Sequence, residues 1–276
     1  YVSTPAYIAA KRAGVPIVIH EQNARPGLAN KVGARNARVV ALTFPSSPLA
    51  ARVGETVVTG LPLRSAIADL ANRRATSEGA AQARREAAER LGVDPEAPTL
   101  LVTGGSLGAL HVNESMTGGA DALPEGAQVV HLTGRGKDEP VRAAVEAAGL
   151  SDRWHVIDYL RTMEDALAVA DLVVCRSGAG TVAEMEALGL PCIYVPLPIG
   201  NGEQRLNAKD HVEAGGAQLI DDKDFTADFV RSNVFPLLGS TRLAEMAAAS
   251  QSLGRAGAAR ALADLALAQV KEDGHE

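Results

Sequence analysis

An alternation that begins at Thr99 limits the possible folds more than any other feature of the chain. Short apolar runs at Thr99–Thr103, Gln128–Leu132, His155–Tyr159, Leu172–Cys175, Cys192–Val195 and Gln218–Ile220 read as strands. The stretches Glu139–Ala148, Met163–Ala170, Thr181–Leu188 and Gln204–Ala214 lie between them and read as helices. Strands interleaved with helices of this length make βαβ units and a parallel sheet. Right-handed crossovers then bring the strand C-terminal ends to one edge, where such sheets bind ligands. Composition agrees: 46% of residues are hydrophobic but only 3% aromatic. The core is therefore built from Ala, Val, Leu and Ile, which suits buried parallel strands.

The preceding part is organised differently. Tyr1-Val2-Ser3-Thr4-Pro5 reads as a strand end passing into a helix that Gly14 closes, with Pro5 in the first turn. Val15–Ile19, Val39–Phe44 and Thr56–Thr59 read as further strands, and residues 66–98 as helical until Pro95 and Pro98. From Thr241 on, the chain is Ala-rich and helical. A length of 276 residues fits two medium domains. Charge divides the same way. Residues 1–64 carry eight basic side chains against Glu21 and Glu55, a net +6, so the rest of this −6 chain carries −12. A basic first lobe suits anionic lipid or phosphate, and equally a plain solvated surface. Cys175 and Cys192 sit in apolar runs and read as buried thiols, which points to a reducing, cytoplasmic compartment. No apolar run approaches the roughly 20 residues that span a bilayer.

Three loops at the expected binding edge carry chemistry. Gly104-Gly105-Ser106-Leu107-Gly108 follows a strand and opens a helix. Its glycines and the helix N-terminus suit a phosphate, and Ser106 can donate to one; a tight strand–helix turn fits the pattern equally. The spacing is neither that of a dinucleotide fingerprint nor that of a Walker loop. Arg176-Ser177-Gly178-Ala179-Gly180-Thr181 repeats the device, with Glu184 one turn in. Glu184 either stabilises the helix start or accepts ribose hydroxyls. In the loop from Pro196 to Asn207, Gln204 suits sugar hydroxyls or a helix cap. His20-Glu21-Gln22-Asn23 follows a buried strand and is placed for binding; His20 is structural or a general base. Asp221-Asp222-Lys223-Asp224 reads as an acidic turn, not a metal site.

Taken together these segments resemble MurG, the bacterial family of N-acetylglucosamine transferases that make lipid II from lipid I. The resemblance rests on Tyr1-Val2-Ser3 with Pro5, on His20-Glu21-Gln22-Asn23 with Gly27-Leu28, Asn30 and Lys31, and on Gly60, Pro62 and Arg64. It continues through Gly104-Gly105-Ser106, Gly108-Ala109 and Asn113, through Cys175 to Ala179 with Thr181 and Glu184, and through Gln204 with Asn207-Ala208. The segments occur in order over nearly the whole chain.

The resemblance implies an α/β, GT-B type fold of two Rossmann-like lobes, the N-terminal one incomplete. Residues 1–64 would be part of an acceptor lobe and 65–255 a UDP-N-acetylglucosamine-binding lobe. Residues 256–276 would be a helix packing back onto the first lobe. It also implies roles. Ser106 and the backbone of Ala179, Gly180 and Thr181 would hold the pyrophosphate, Glu184 the ribose and the Leu160 backbone the uracil. Gln204 and Asn23 would contact the sugar, with Arg64 near the nucleotide. Tyr1, His20, Asn113 and Asn207 match positions near the cleft. The implied partners are UDP-N-acetylglucosamine, undecaprenyl-linked lipid I and an anionic membrane surface, with no nucleic acid, cofactor or metal. The implied place is the cytoplasmic face of the cell membrane, peripherally attached.

Two departures stand out, Glu203 where the family often has a second glutamine and Gly180 where it often has a bulkier residue. The family's N-terminal Gly-rich loop with its histidine, a candidate general base, is not in the sequence. The rival readings are a UDP-N-acetylglucosamine 2-epimerase and a donor-binding protein without transferase activity. A dinucleotide oxidoreductase is disfavoured by the glycine spacing.

Overall fold

The structure is a computed structural model that describes residues 3–105, 108–199 and 201–272. Helix α1 (Ser3–Arg12) leads into β1 (Val18–Glu21), α2 (Leu28–Gly33), β2 (Val39–Leu42) and β3 (Glu55–Val58). The strands form a parallel sheet in that order. Its small core joins Ile17, Ile19, Val40, Leu42 and Leu49.

Helices α3 (Ser65–Arg74) and α4 (Ser77–Leu91) then lead to β4 (Thr99–Thr103). The chain continues through α5 (Leu110–Gly118), β5 (Gln128–Leu132), α6 (Asp138–Ala147), β6 (Trp154–Ile157) and α7 (Met163–Val169). After β7 (Leu172–Cys175) come α8 (Ala179–Leu188), β8 (Cys192–Tyr194), α9 (Glu203–Asn207), α10 (Lys209–Glu213) and β9 (Ala217–Leu219). A one-turn α11 (Ala227–Phe229) precedes α12 (Thr241–Gln251) and α13 (Ala258–Glu272), and α13 returns to touch β1. The six later strands form a second parallel sheet in the order β6-β5-β4-β7-β8-β9.

Every residue of β4, β5 and β7 is buried, as strands covered on both faces require. Period-two alternation divides them. Leu101, Val130 and Val173 meet α4, α7 and α8, while Leu100, Val102, Val129 and Val174 meet α5, α6 and Phe235. Cys175 and Cys192 are free and buried on neighbouring strands.

Where element ends differ from the sequence reading, local chemistry accounts for several of them. The first strand starts at Val18 rather than Val15, because Pro16 has no N–H to give a ladder. The strand expected at His155–Tyr159 is β6 and runs Trp154–Ile157; beyond it Asp158 Oδ1 accepts from the Tyr159 N–H (2.6 Å). The helical stretch after Arg64 breaks at Thr76, whose hydroxyl caps α4 by accepting from the Gly79 N–H (3.1 Å). The helix expected over Gln204–Ala214 is two short ones joined at Ala208.

Two histidines serve the core as neutral rings. Trp154 Nε1 donates to His131 Nδ1 (3.3 Å), so Nε2 carries the proton and donates to Asn113 Oδ1 (3.0 Å). Burial pushes His131 down to about 3 and His211 to about 4. The unfolded chain therefore takes up protons near pH 6.5 that the folded chain refuses. Stability is full above that pH and falls toward about pH 3, by about 2 kcal/mol for each ring at about pH 5. Urea denaturation at neutral and mildly acidic pH measures this, and His131→Gln should lose less between the two than the wild type.

Candidate active site

The strand order of the larger sheet reverses between β4 and β7, and a crevice opens beyond their C-terminal ends. It is a cavity of about 250 Å³. Thr103 and Gly105 line it from β4, Cys175 and Arg176 from β7, and Thr181 and Glu184 from α8. Leu132, Leu160 and Met163 make its other end apolar.

No side chain caps α8, whose N-cap is Gly178. Its first N–H groups are thus left for an anion. Beside Ala179 and Thr181, Gly180 is exposed, and a Cβ on it would meet nothing within 4 Å. A bulkier residue would fit there, so the departure at Gly180 costs no packing. Across the crevice α5 also begins without a side-chain cap. Its loop lies tight on the end of β5: Gly108 has φ 67°, and a Cβ there would stand 2.2 Å from the Thr133 carbonyl. Ser106 and Tyr1 lie outside the described residues.

Glu184 is paired with Arg64. Both Nε (3.2 Å) and Nη2 (2.9 Å) of Arg64 donate to Glu184 Oε1. The carboxylate is 16% exposed and the guanidinium 59%, so the carboxylate belongs to the crevice wall and the arginine comes in from solvent. Arg64 stands immediately before α3, at the end of the link between the two sheets.

The loop after β1 is shaped by a residue whose job the sequence reading missed. Glu21 is 3% exposed and turned inward beside Ile19. It accepts from the Asn23 N–H (3.1 Å), the Gly27 N–H (3.0 Å) and Asn30 Nδ2 (2.9 Å). The signal was its place two residues after Ile19 on the buried face of a strand. So folded, the loop is clamped to the larger sheet by Asn207, which is 1% exposed. Asn207 Oδ1 accepts from the Ala24 N–H (2.9 Å), and Nδ2 donates to Asn23 Oδ1 (3.4 Å) and the Ser177 carbonyl (3.5 Å). A second clamp runs from the Ser46 N–H to Asp210 Oδ2 (3.1 Å). Asn207 thus brings Asn23 to the α8 turn and is itself a buried bridge, not a cleft surface.

Arg176 organises the third loop. Its Nη1 donates to the Val195 (2.9 Å) and Pro196 (3.1 Å) carbonyls and pairs with Asp222. Gln204 Oε1 accepts from the Leu197 N–H (2.9 Å), and its NH₂ has no partner among the described residues. Asp221 pairs with Arg205, so two carboxylates of the acidic turn are held by arginines. Among the described residues no cluster of three metal-ligating side chains occurs.

Two expected cleft residues are anchored to backbone carbonyls, Asn113 to that of Thr133 and His20 to that of Gly60. Asn113 is 2% exposed and held between His131 and the Thr133 carbonyl (3.1 Å), in the core behind the crevice. A polar residue near a Gly-rich loop reads the same whether it faces ligand or core. His20 is half-buried, and its Nε2 donates to the Gly60 carbonyl (3.0 Å), which fixes that tautomer and leaves Nδ1 unprotonated. Burial lowers its pKa, against the opposing pull of the Gly60 carbonyl and Glu21, so the ring is neutral at neutral pH. A roomier groove of about 600 Å³ between α4 and α12 offers no comparable set of free groups. Its Arg84 is committed to Asp171 and to the Pro95 and Ala97 carbonyls.

Two parallel sheets, with an arginine from the segment between them reaching the crevice at the strand reversal of the second, make this a GT-B glycosyltransferase fold. The comparisons agree. The C-terminal domain of glycosyltransferase family 28 matches residues 99–265 and its N-terminal domain residues 1–42. The UDP-N-acetylglucosamine–N-acetylmuramyl-(pentapeptide) pyrophosphoryl-undecaprenol N-acetylglucosamine transferase of Bifidobacterium longum (strain DJO10A) is 48% identical over 279 residues, 95% of this chain and 70% of the relative. The crystal structure of Acinetobacter baumannii MurG superimposes with a TM-score of 0.77 at 28% identity, covering 96% of this chain and 70% of that one. A putative UDP-N-acetylglucosamine 2-epimerase from Listeria monocytogenes, 16% identical, shares the fold alone at a TM-score of 0.66, covering 97% of this chain and 71% of that one. The chain belongs to the MurG family of glycosyltransferase family 28.

The Asn207 bridge can be tested by stability. Asn207→Ala leaves the Ala24 N–H buried without a partner and should cost about 1–3 kcal/mol in urea denaturation. A variant as stable as the wild type would remove the bridge from the account.

Proposed function

We propose that this chain transfers N-acetylglucosamine from UDP-N-acetylglucosamine to the C4 hydroxyl of the N-acetylmuramoyl unit of lipid I, with inversion, giving lipid II for peptidoglycan synthesis. The observation that carries the reading is the recessed Glu184 carboxylate beside the uncapped start of α8, at the point where the strand order reverses. A carboxylate accepts from two vicinal hydroxyls, and free N–H groups donate to a diphosphate.

In this reading the ribose takes Glu184 from Arg64. The freed guanidinium, the backbone of Ala179, Gly180 and Thr181, and Ser106 then hold the diphosphate. These donors stabilise the charge that develops on departing UDP, without need of a metal. The uracil lies against Leu160 at the apolar end. Gln204, whose NH₂ has no protein partner among the described residues, and Asn23 reach the sugar. An acceptor for the C4 hydroxyl proton needs a free lone pair, which the neutral His20 ring carries at Nδ1.

Residues 1–64 then form the acceptor side, 65–255 the donor side, and 256–276 the helix returning to the first. The acceptor side carries Lys11, Arg12, Arg35 and Arg52 around Ile8, Val32 and Val53, in a groove of about 720 Å³. Val53 is 73% exposed. A basic rim around apolar side chains supports peripheral seating on an anionic membrane, on the cytoplasmic face. No helix among the described residues is long and apolar enough to cross a membrane.

Calorimetry with UDP-N-acetylglucosamine tests the donor site. Glu184→Ala should weaken binding by about 1–3 kcal/mol, the cost of losing a charged hydrogen-bond partner. Unchanged affinity in a folded variant would remove the ribose assignment. Incubation with lipid I and mass analysis of the product tests the reaction; conversion of the nucleotide sugar without lipid I would favour a 2-epimerase instead.

A further inference from the structure

Arg135 is an exposed cation at the cleft for which the roles above have no use. Its guanidinium carbon sits 4.0 Å from the centroid of the Tyr159 ring. Gly134 (φ 90°) and Gly136 (φ 69°) flank it, both in the left-handed region that other residues rarely adopt. A Cβ at Gly136 would meet nothing within 4 Å, so the dihedral alone calls for glycine there. The turn after β5 is thus a glycine–arginine–glycine tip that presents one side chain over one ring.

The place of this pair in the cleft is specific. Gly134 and Tyr159 line it together with Leu132, Leu160 and Met163, at the end away from Glu184 and α8. Tyr159 is 41% exposed, and Oδ1 of its neighbour Asp158, which lines the cleft too, accepts from the Tyr159 N–H. Among the described residues Arg135 forms no ion pair, so its in-plane N–H donors are unclaimed by carboxylate. Arg64 and the start of α8 lie toward the other end of the cleft. This end offers Leu132, Leu160 and Met163, the Asp158 carboxylate, and one guanidinium stacked on the lining ring of Tyr159.

Resting on the donor reading above, we propose that Arg135, held over Tyr159, is a specificity-determining residue that selects a base with ring carbonyls, of the uracil type, over one with an exocyclic amine. A guanidinium only donates. A ring carbonyl at its edge accepts, whereas the exocyclic amine of cytosine would set donor against donor and leave both unpaired.

Calorimetric titration of UDP and CDP into the full chain tests this, in the wild type, Arg135→Ala and Arg135→Gln. The wild type should bind UDP at least about tenfold more tightly than CDP. Arg135→Ala should weaken UDP by about tenfold and CDP by less than about threefold, collapsing the preference. Arg135→Gln, whose amide can also accept, should move the ratio further toward CDP. Because Arg135 is exposed, the variants should melt with the wild type. Equal weakening of both nucleotides, or no change in either, would overturn the proposal. If the folded wild type binds neither nucleotide, the donor assignment itself falls, and this proposal with it.

Discussion

Two helices begin without side-chain caps on opposite faces of one sheet, α5 after β4 and α8 after β7. The strand order reverses between them, so their loops part and a crevice opens where both N-termini arrive. Unsatisfied N–H groups are tolerable only where water or a ligand reaches them. The other residues of the crevice are arranged around these two helix starts. Glu184 lies one turn into α8, Arg176 ties the next loop to the β8 end, and Leu160 closes the apolar side.

The lobes are held in register by backbone groups paired with buried side chains, and by Ala24 and Phe44, which join the core of the larger lobe. Glu21 curls the loop after β1, and Asn207 seizes the exposed turn of that loop. The order matters, since the Ala24 N–H is offered to Asn207 only once Glu21 has bent the chain. Arg64 adds a link of another kind. It reaches from the end of the interlobe segment to Glu184 and remains largely in solvent, so it can be displaced at low cost. The buried bridges therefore set the geometry, while the exposed pair is the weaker link.

Much of this was legible in the sequence, and the limits have physical causes. β4, β5 and β7 were read to the residue, because strands buried on both faces are continuous apolar runs with sharp ends. The half-buried strands were read a few residues out of place, where Pro16 and Asp158 act through hydrogen bonds that periodicity does not register. Glu184 could be placed at a helix start from spacing alone, but its pairing with Arg64 crosses 120 positions of sequence and leaves no local trace. Asn113 and Asn207 had the residue type of ligand contacts, yet both are buried, since an amide serves a sugar hydroxyl and a backbone carbonyl equally well.

The position of the nucleotide decides the site assignment, and co-crystallisation with UDP measures it most directly. Ribose hydroxyls are expected on the Glu184 carboxylate, the diphosphate at the α8 N-terminus, the base against Leu160, and Arg64 moved off Glu184. Density for the nucleotide elsewhere, or in the crevice with the Arg64–Glu184 pair still closed, would contradict it.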